Sequence, residues 1–213
     1  MLREIREDLD AVLKHDPAAR SAAETLLCHT PLHALVLYRM AHWLHVRLRL
    51  PFLPRVLSVL ARFWSGIEIH PAARIGRRCF IDHGTGVVIG ETAEIGDDCV
   101  MFHNVTLGGT GKHHGKRHPT VKDNVLIGTS ATLLGPITIG ANAKVGANSF
   151  IRMRDVPAHC TAAGIPARLV KREGRRVDEE LPRTQLSDQS IPVPISDEAG
   201  GRSAERGGGA SGS

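Results

Sequence analysis

Two groups of side chains have the types and spacing to do chemistry. The first runs Glu68-Ile-His70-Pro, then Asp82-His83-Gly84-Thr85-Gly86. A carboxylate that accepts from one imidazole nitrogen fixes the tautomer and leaves the other nitrogen as a base. Glu68 could serve His83 in this way. A histidine without such a partner is a surface residue or a satisfied core residue. The second group is the run GGTGKHHGKRHPT from Gly108 to Thr120, with Lys112, His113, His114, Lys116, Arg117 and His118. Its glycines allow close backbone approach and can present N–H groups to an anion or a developing oxyanion. The alternative is a solvated basic loop.

The elements that must position these groups follow a period of six. Ile69, Ile75, Ile81 and Val87 are spaced by six; Ile89, Ile95, Met101 and Leu107 follow after a two-residue slip. After an eight-residue insertion come Val121, Ile127, Leu133, Ile139, Val145 and Ile151. Small or β-branched residues stand four places further on: Ala73, Cys79, Ala93, Cys99, Val105, Ala131, Ala143 and Ser149. In one long helix six steps turn about 240°, so these aliphatics would share no face. In extended chain an even period keeps them on one side. Short strands with a turn every six residues coil, and stacked coils bury the ladder, which is the hexapeptide β-helix signature.

Before Gly66 the chain reads as helical. Asp16-Pro17 and Thr30-Pro31 each look like an N-cap followed by proline. Leu32, Leu35, Val36, Met40, Trp43 and Leu44 form an apolar stripe at helical spacing, interrupted by Arg39. A further helix is expected over 54–63, ended by Gly66. Residues 173–213 are rich in charge, Pro, Gly and Ser and read as a disordered tail. The expected organisation is a helical region over 1–65, a β-helix domain over 66–172, and that tail.

With 27 Lys+Arg against 22 Asp+Glu the chain carries +5. That suits an anionic ligand. No block of like charges and few aromatics speak for nucleic acid. The stretch 48–64 is broken by Arg49, Pro51, Pro54, Arg55 and Arg62, so no membrane span is expected. Cys28, Cys79, Cys99 and Cys160 have no metal-type spacing. Without a secretory signal they read as reduced thiols of a cytoplasmic protein. Cys79 and Cys99 occupy small-residue positions of the repeat and read as packing.

The runs IEIHPAARIGRRCFIDHGTGVVIGETAEIGDD, TLGGTGKHHGKRHPTVKDNVLIG and TAAGIPARLV resemble serine O-acetyltransferase, over roughly residues 14–171. DHGTG with VIGETA, and LGGTGK with RHP, carry the resemblance; other hexapeptide transferases share only the repeat. It implies an α+β fold in which helices precede a left-handed parallel β-helix of 18 residues per coil. Fifteen residues is then just short of one circuit, which brings Glu68 and His83 within reach on neighbouring coils. It also implies transfer of the acetyl group of acetyl-CoA to L-serine, giving O-acetyl-L-serine, the first step of cysteine biosynthesis from serine. His83 is then the general base, and Glu68, where many members carry Asp, orients it. Arg117 and His118 hold the substrate carboxylate, with His118 close to the reacting centre, and Asp16 and Asp82 hold its ammonium group. Gly109, Thr110, Thr129 and Ala147 approach the pantetheine of acetyl-CoA, and Lys144 and Arg168 its phosphates. No metal is implied and no enzyme nucleophile is needed.

The family pairs its solenoids around a threefold axis, so a homotrimer is expected, or a dimer of trimers. Only fifteen residues precede Asp16, few for the helical domain through which family hexamers form. L-cysteine is the expected feedback inhibitor. Cysteine synthase binds family tails that end in isoleucine; this sequence ends in Ser213, so that partner is not expected. The rival readings are an acyltransferase for a sugar or antibiotic hydroxyl, a β-helix carbonic anhydrase with zinc on His83, His103 and His118, and a trimeric scaffold without activity.

Overall fold

The computed structural model describes residues 1–111 and 114–184. Lys112, His113 and the tail from 185 onward lie outside the described residues. Four helices come first: α1 (Leu2–His15), α2 (Ala22–Cys28), α3 (Thr30–Arg47) and α4 (Leu53–Ser65). Gly66, with φ 72°, closes α4 in the left-handed conformation that glycine adopts freely.

A three-sided parallel solenoid follows. The first coil holds β1 (Glu68–Ile69), β2 (Arg74–Ile75) and β3 (Phe80–Ile81). The second holds β4 (Val88–Ile89), β5 (Glu94–Ile95) and β6 (Val100–Met101). The third holds β7 (Thr106–Gly108), β8 (Thr120–Val121) and β9 (Leu126–Ile127). The fourth holds β10 (Thr132–Leu134), β11 (Thr138–Ile139) and β12 (Lys144–Val145). Then come β13 (Phe150–Arg152), β14 (Cys160–Gly164), β15 (Ala167–Arg172) and β16 (Arg175–Glu180).

Face one stacks β1, β4, β7, β10 and β13; face two stacks β2, β5, β8 and β11. Face three stacks β3, β6, β9, β12 and β14 and continues antiparallel into β15 and β16. The register carries both irregularities seen in the spacing. Thr132 pairs with Phe150, an offset of 18. Glu68 pairs with Val88, an offset of 20 that contains the slip. Val100 pairs with Leu126, an offset of 26 that contains the eight-residue insertion. Every aliphatic of the ladder is buried, and the small residues four places on are buried beside them. A fully buried aliphatic side chain contributes about 1.5–3 kcal/mol over an exposed one. The ladder is therefore the main source of cohesion.

The helices are locked to the first coil by a buried polar cluster. Arg39 donates from Nε to Asp8 Oδ2 at 3.1 Å and from its Nη atoms to the carbonyls of Ile75 and Gly76. Asp8 also accepts from the Cys79 N–H. The Tyr38 hydroxyl donates to the Ala73 carbonyl at 2.7 Å and accepts from the Ile75 N–H. These bonds satisfy backbone groups that the first coil, having no coil before it, would leave unpaired.

Several sequence expectations are corrected here. Asp16 is not an N-cap: it follows the last residue of α1, and its carboxylate accepts from the Ala18 N–H at 2.8 Å in a local turn. Ser21 caps α2, and His29 Nδ1, not Thr30, caps α3 by accepting from Leu32 N–H. The buried face of α3 is Leu32, Leu35, Tyr38 and Ala41 together with Arg39, while Met40 and Trp43 turn outward. Arg39 is inside because Asp8 neutralises it. Residues 173–180 are not structureless: β16 pairs with β15, joined by Arg168–Asp178 and Arg172–Glu179 ion pairs. This strand lacks an apolar period because only Val177 packs against the core and its other side chains are exposed, so its sequence looks like a linker.

Candidate active site

The corner between faces three and one carries Asp82 and His83. Here the chain reverses tightly: Gly84 N–H donates to Asp82 O and Thr85 N–H to His83 O. His83 itself takes φ 59° and Gly84 φ 70°. A Cβ at Gly84 would overlap the Ile67 side chain, so glycine is required there. The turn throws the His83 side chain outward, where it is 75% exposed. Its Nε2 is 3.7 Å from Asp82 Oδ1, and its ring meets His103 edge-on at 5.9 Å.

The helices add to this corner. Phe80 stacks on His15 and on His29. Burial pushes the His29 imidazole below its ordinary pKa, against the opposing pull of the Asp16 and Asp82 carboxylates. Asp16, Asp82, His29 and His83 are thus brought into one neighbourhood, and Asp16 and His29 line a cavity of about 180 Å³.

Glu68 behaves otherwise. It sits on β1 and accepts from Arg62 Nη1 of α4 at 2.6 Å. The expected Glu68–His83 hydrogen bond is not made within this chain; the Glu68 carboxylate bonds the Arg62 guanidinium instead.

The corner between faces one and two, at the other edge of face one, carries the second group. Here the insertion leaves β7 and returns to β8. Arg117 is in direct ion contact with Glu91, which that hydrogen bond holds below the ordinary carboxylate pKa. His118 is buried, and burial first, then the Arg117 charge, lowers its pKa. Its ring lies against Gly90, where a Cβ would overlap it. His70 sits nearby on the first coil, with Nδ1 accepting from the Ala72 N–H; burial pushes its pKa down to about 4. Lys116 lies half-buried beside Glu94 and, with Glu91 and Arg74, edges a cavity of about 330 Å³.

Four of the six cofactor candidates divide between the same two corners, and Lys144 and Arg168 lie on strands of face three. Gly109 and Thr110 lie with the insertion, and Thr110 Oγ1 contacts Met153 Sδ at 3.7 Å. Thr129 and Ala147 lie on the His83 side, where the Thr129 carbonyl accepts from Asn148 N–H. A Cβ on Gly128 would come within 2.6 Å of Ala147 N, so these coils touch through their backbones. Lys144 is exposed on β12. Arg168 is tied to Asp178 beside a pocket of about 220 Å³ that Arg152 and Arg154 also line.

Cys79, Cys99 and Cys160 are buried, and burial raises the pKa of each; Cys99 is pushed up to about 11. Such thiols are poor nucleophiles. His83 and His103 adjoin, but His118 is at the other corner, so one chain does not gather the three histidines. No helix among the described residues is long and apolar enough to cross a membrane.

Sequence reasoning passed over Glu91, Thr92 and His29. The first two stand in the VIGETA run, noticed as a signature but given no role. His29 precedes a Thr-Pro that looked like the cap itself.

A three-sided stack of six-residue rungs, interrupted by one basic loop, defines the class: hexapeptide-repeat transferases. The family model "Bacterial transferase hexapeptide (six repeats)" matches residues 118–152. The serine acetyltransferase of Bacillus pumilus is 52% identical over 193 residues, covering 91% of this chain and 86% of that one. The Brucella abortus serine acetyltransferase solved with coenzyme A is 39% identical, with a TM-score of 0.75 over 86% of this chain and 69% of that one. The soybean enzyme complexed with serine is 47% identical, with a TM-score of 0.74 over 79% and 68%. A serine acetyltransferase complexed with cysteine is 41% identical, with a TM-score of 0.76 over 80% and 66%. The chain belongs to the serine acetyltransferase family.

Proposed function

We propose that the protein transfers the acetyl group of acetyl-CoA to the hydroxyl of L-serine in a ternary complex. The carrying observation is that the two chemical groups flank one face of the solenoid. The histidine-and-carboxylate corner (Asp16, Asp82, His83) lies at one edge of face one, and the cation Arg117, with His118 beside it as a ring N–H, at the other. An amino acid needs both: carboxylates for its ammonium group, a base for its hydroxyl, a cation for its carboxylate. No hydrogen bond or ion pair joins the two corners among the described residues of one chain. A neighbouring copy that docks its cationic corner against the His83 corner completes the site, and a closed ring of three repeats this contact.

His83 takes the serine hydroxyl proton as the oxygen attacks the thioester, and coenzyme A leaves. His83 is suited to this by its exposure and by the carboxylates nearby. Glu68 orients it by exchanging Arg62 for the imidazole. Gly109 and Thr110 of one copy, with Thr129 and Ala147 of the next, line the pantetheine groove, and Lys144 and Arg168 lie towards the phosphates. L-Cysteine, which shares every group of serine except the hydroxyl oxygen, competes for the same clamp. The coenzyme A, serine and cysteine complexes of relatives support these ligands.

The test is thiol release from acetyl-CoA, with serine compared against threonine, homoserine and sugars. A preference for serine is expected. Release with a sugar but not with serine overturns the reading.

A further inference from the structure

The Thr92 hydroxyl touches three groups of Arg117 and His118, at the end of the insertion. Oγ1 lies 3.0 Å from Arg117 N and 3.1 Å from His118 N, and accepts from both amides. It also lies 2.9 Å from His118 Nδ1. A hydroxyl has two lone pairs and one proton. The amides take both lone pairs, so the proton is what remains for Nδ1. The Thr92 backbone N–H points at the same nitrogen from 3.2 Å, and an amide N–H can only donate. Two donors therefore converge on Nδ1, which must carry a lone pair. The ring proton is on Nε2.

We infer that Thr92 is a positioning residue that holds His118 as the Nε2–H tautomer, so that His118 acts as a hydrogen-bond donor to an oxygen of the reactants and not as a second base. The inference rests on the acetyl-transfer reading for what the donor serves, but the tautomer stands on geometry alone. Nε2 lies 3.5 Å from where a Cβ on Gly109 would be, and the ring packs against Gly90. Two glycines thus border the donor edge, next to the loop that would line the groove. A carboxylate, or a thioester oxygen gaining charge, is the acceptor chemistry an N–H so placed would serve. The Thr92 carbonyl takes Lys116 Nζ at 2.7 Å, so every polar group of this one residue is spent on residues 116–118.

The test begins with the ¹⁵N spectrum of the imidazoles in the intact protein. For His118 it should show an unprotonated Nδ1 and a protonated Nε2 at neutral pH. Thr92→Ser keeps that pattern and the activity. Thr92→Val removes one of the two donors to Nδ1 and leaves the backbone N–H, so it weakens the preference for the Nε2–H tautomer, loosens the ring, and lowers kcat/KM by about tenfold, the scale of one lost hydrogen bond. His70, whose Nδ1 is held by a different amide, should be unchanged in all three and serves as the internal control. His118→Gln, which keeps an N–H near the Nε2 position, should retain more kcat than His118→Ala. An Nδ1–H signal for His118 overturns the inference, as does equal loss in the Gln and Ala variants. The wild-type spectrum decides the tautomer even if Thr92→Val does not fold. If the tautomer is as described and wild-type enzyme releases no thiol with serine, the acetyl-transfer reading fails and the tautomer stands.

Discussion

Arg62 in the last turn of α4 holds the carboxylate of Glu68 at 2.6 Å, and His83 receives no bond from that carboxylate. The pair is exposed on both sides, at 65% and 43%. Such pairs hold about 0–1 kcal/mol and exchange readily. His83→Ala is expected to lower kcat by about 10²–10⁴-fold, the usual worth of a general base. Glu68→Gln should cost less, because the base survives in a poorer orientation. Arg62→Ala, which frees the carboxylate, should leave kcat unchanged or raised. Steady-state kinetics on the three variants checks this. A Glu68→Gln defect larger than that of His83→Ala would reverse the two roles.

The proposed sharing of the site between copies makes a prediction about mixtures. His83→Ala and Arg117→Ala protomers should each be nearly inactive alone. Refolded together in equal amounts, they should regain about one quarter of wild-type activity, since that fraction of contacts in a random ring joins an intact His83 corner to an intact Arg117 corner. No recovery in mixed oligomers would place both halves in one chain.

Gly90 leaves the space that the His118 ring fills. Gly90→Ala should push the ring aside without unfolding the solenoid. A displacement near 1 Å at a reacting group can cost about 100-fold in rate. Circular dichroism unchanged from wild type, with kcat/KM falling on that scale, is the expected result.

Asp8 and Arg39 are almost wholly buried, at 1% and 6% exposure. Asp8→Ala leaves the guanidinium without its counter-charge, which costs about 3–5 kcal/mol in comparable buried pairs. Urea unfolding should show this loss. Because the pair joins α1 and α3 to the first coil, proteolysis should first attack residues 1–65 of the variant.

His70 is pushed down to about 4 from an ordinary value of 6.5. Above pH 6.5 neither the folded nor the unfolded form binds this proton, and the stabilisation is fully present. Between pH 6.5 and 4 the unfolded chain gains a proton that the folded chain refuses, so stability falls with falling pH. His118, lowered in the same direction, adds to the decline. The urea midpoint should drop between pH 7 and 5, and His70→Gln should drop less.

The solenoid was legible because its signal is redundant: Ile69 to Ile151 repeat one rule, and the slip and the insertion reappear as register offsets of 20 and 26. The helix ends were less so. His29 and Thr30 are both plausible caps in sequence, and only the Nδ1 contact with Leu32 N–H decides between them. Arg39 looked like a break in an apolar stripe because its partner, Asp8, is 31 residues away. Candidate site residues could be proposed from their types and from the family resemblance, but their division between two corners could not. It depends on where each turn falls around the coil. Thr92 carried no separate signal, since a threonine in a turn ordinarily has local work to do.

The hairpin of β15 and β16 has a consequence for how molecules can stack. A parallel solenoid invites growth along its axis, because each terminal rung offers unpaired amides and carbonyls to another copy. At the leading end those carbonyls are consumed by Tyr38 and Arg39. At the trailing end the last strand of face three is β16, whose side chains are nearly all exposed and include Arg175, Arg176, Asp178, Glu179 and Glu180. With these two edges blunted, growth by strand addition on face three and at the leading coil is discouraged.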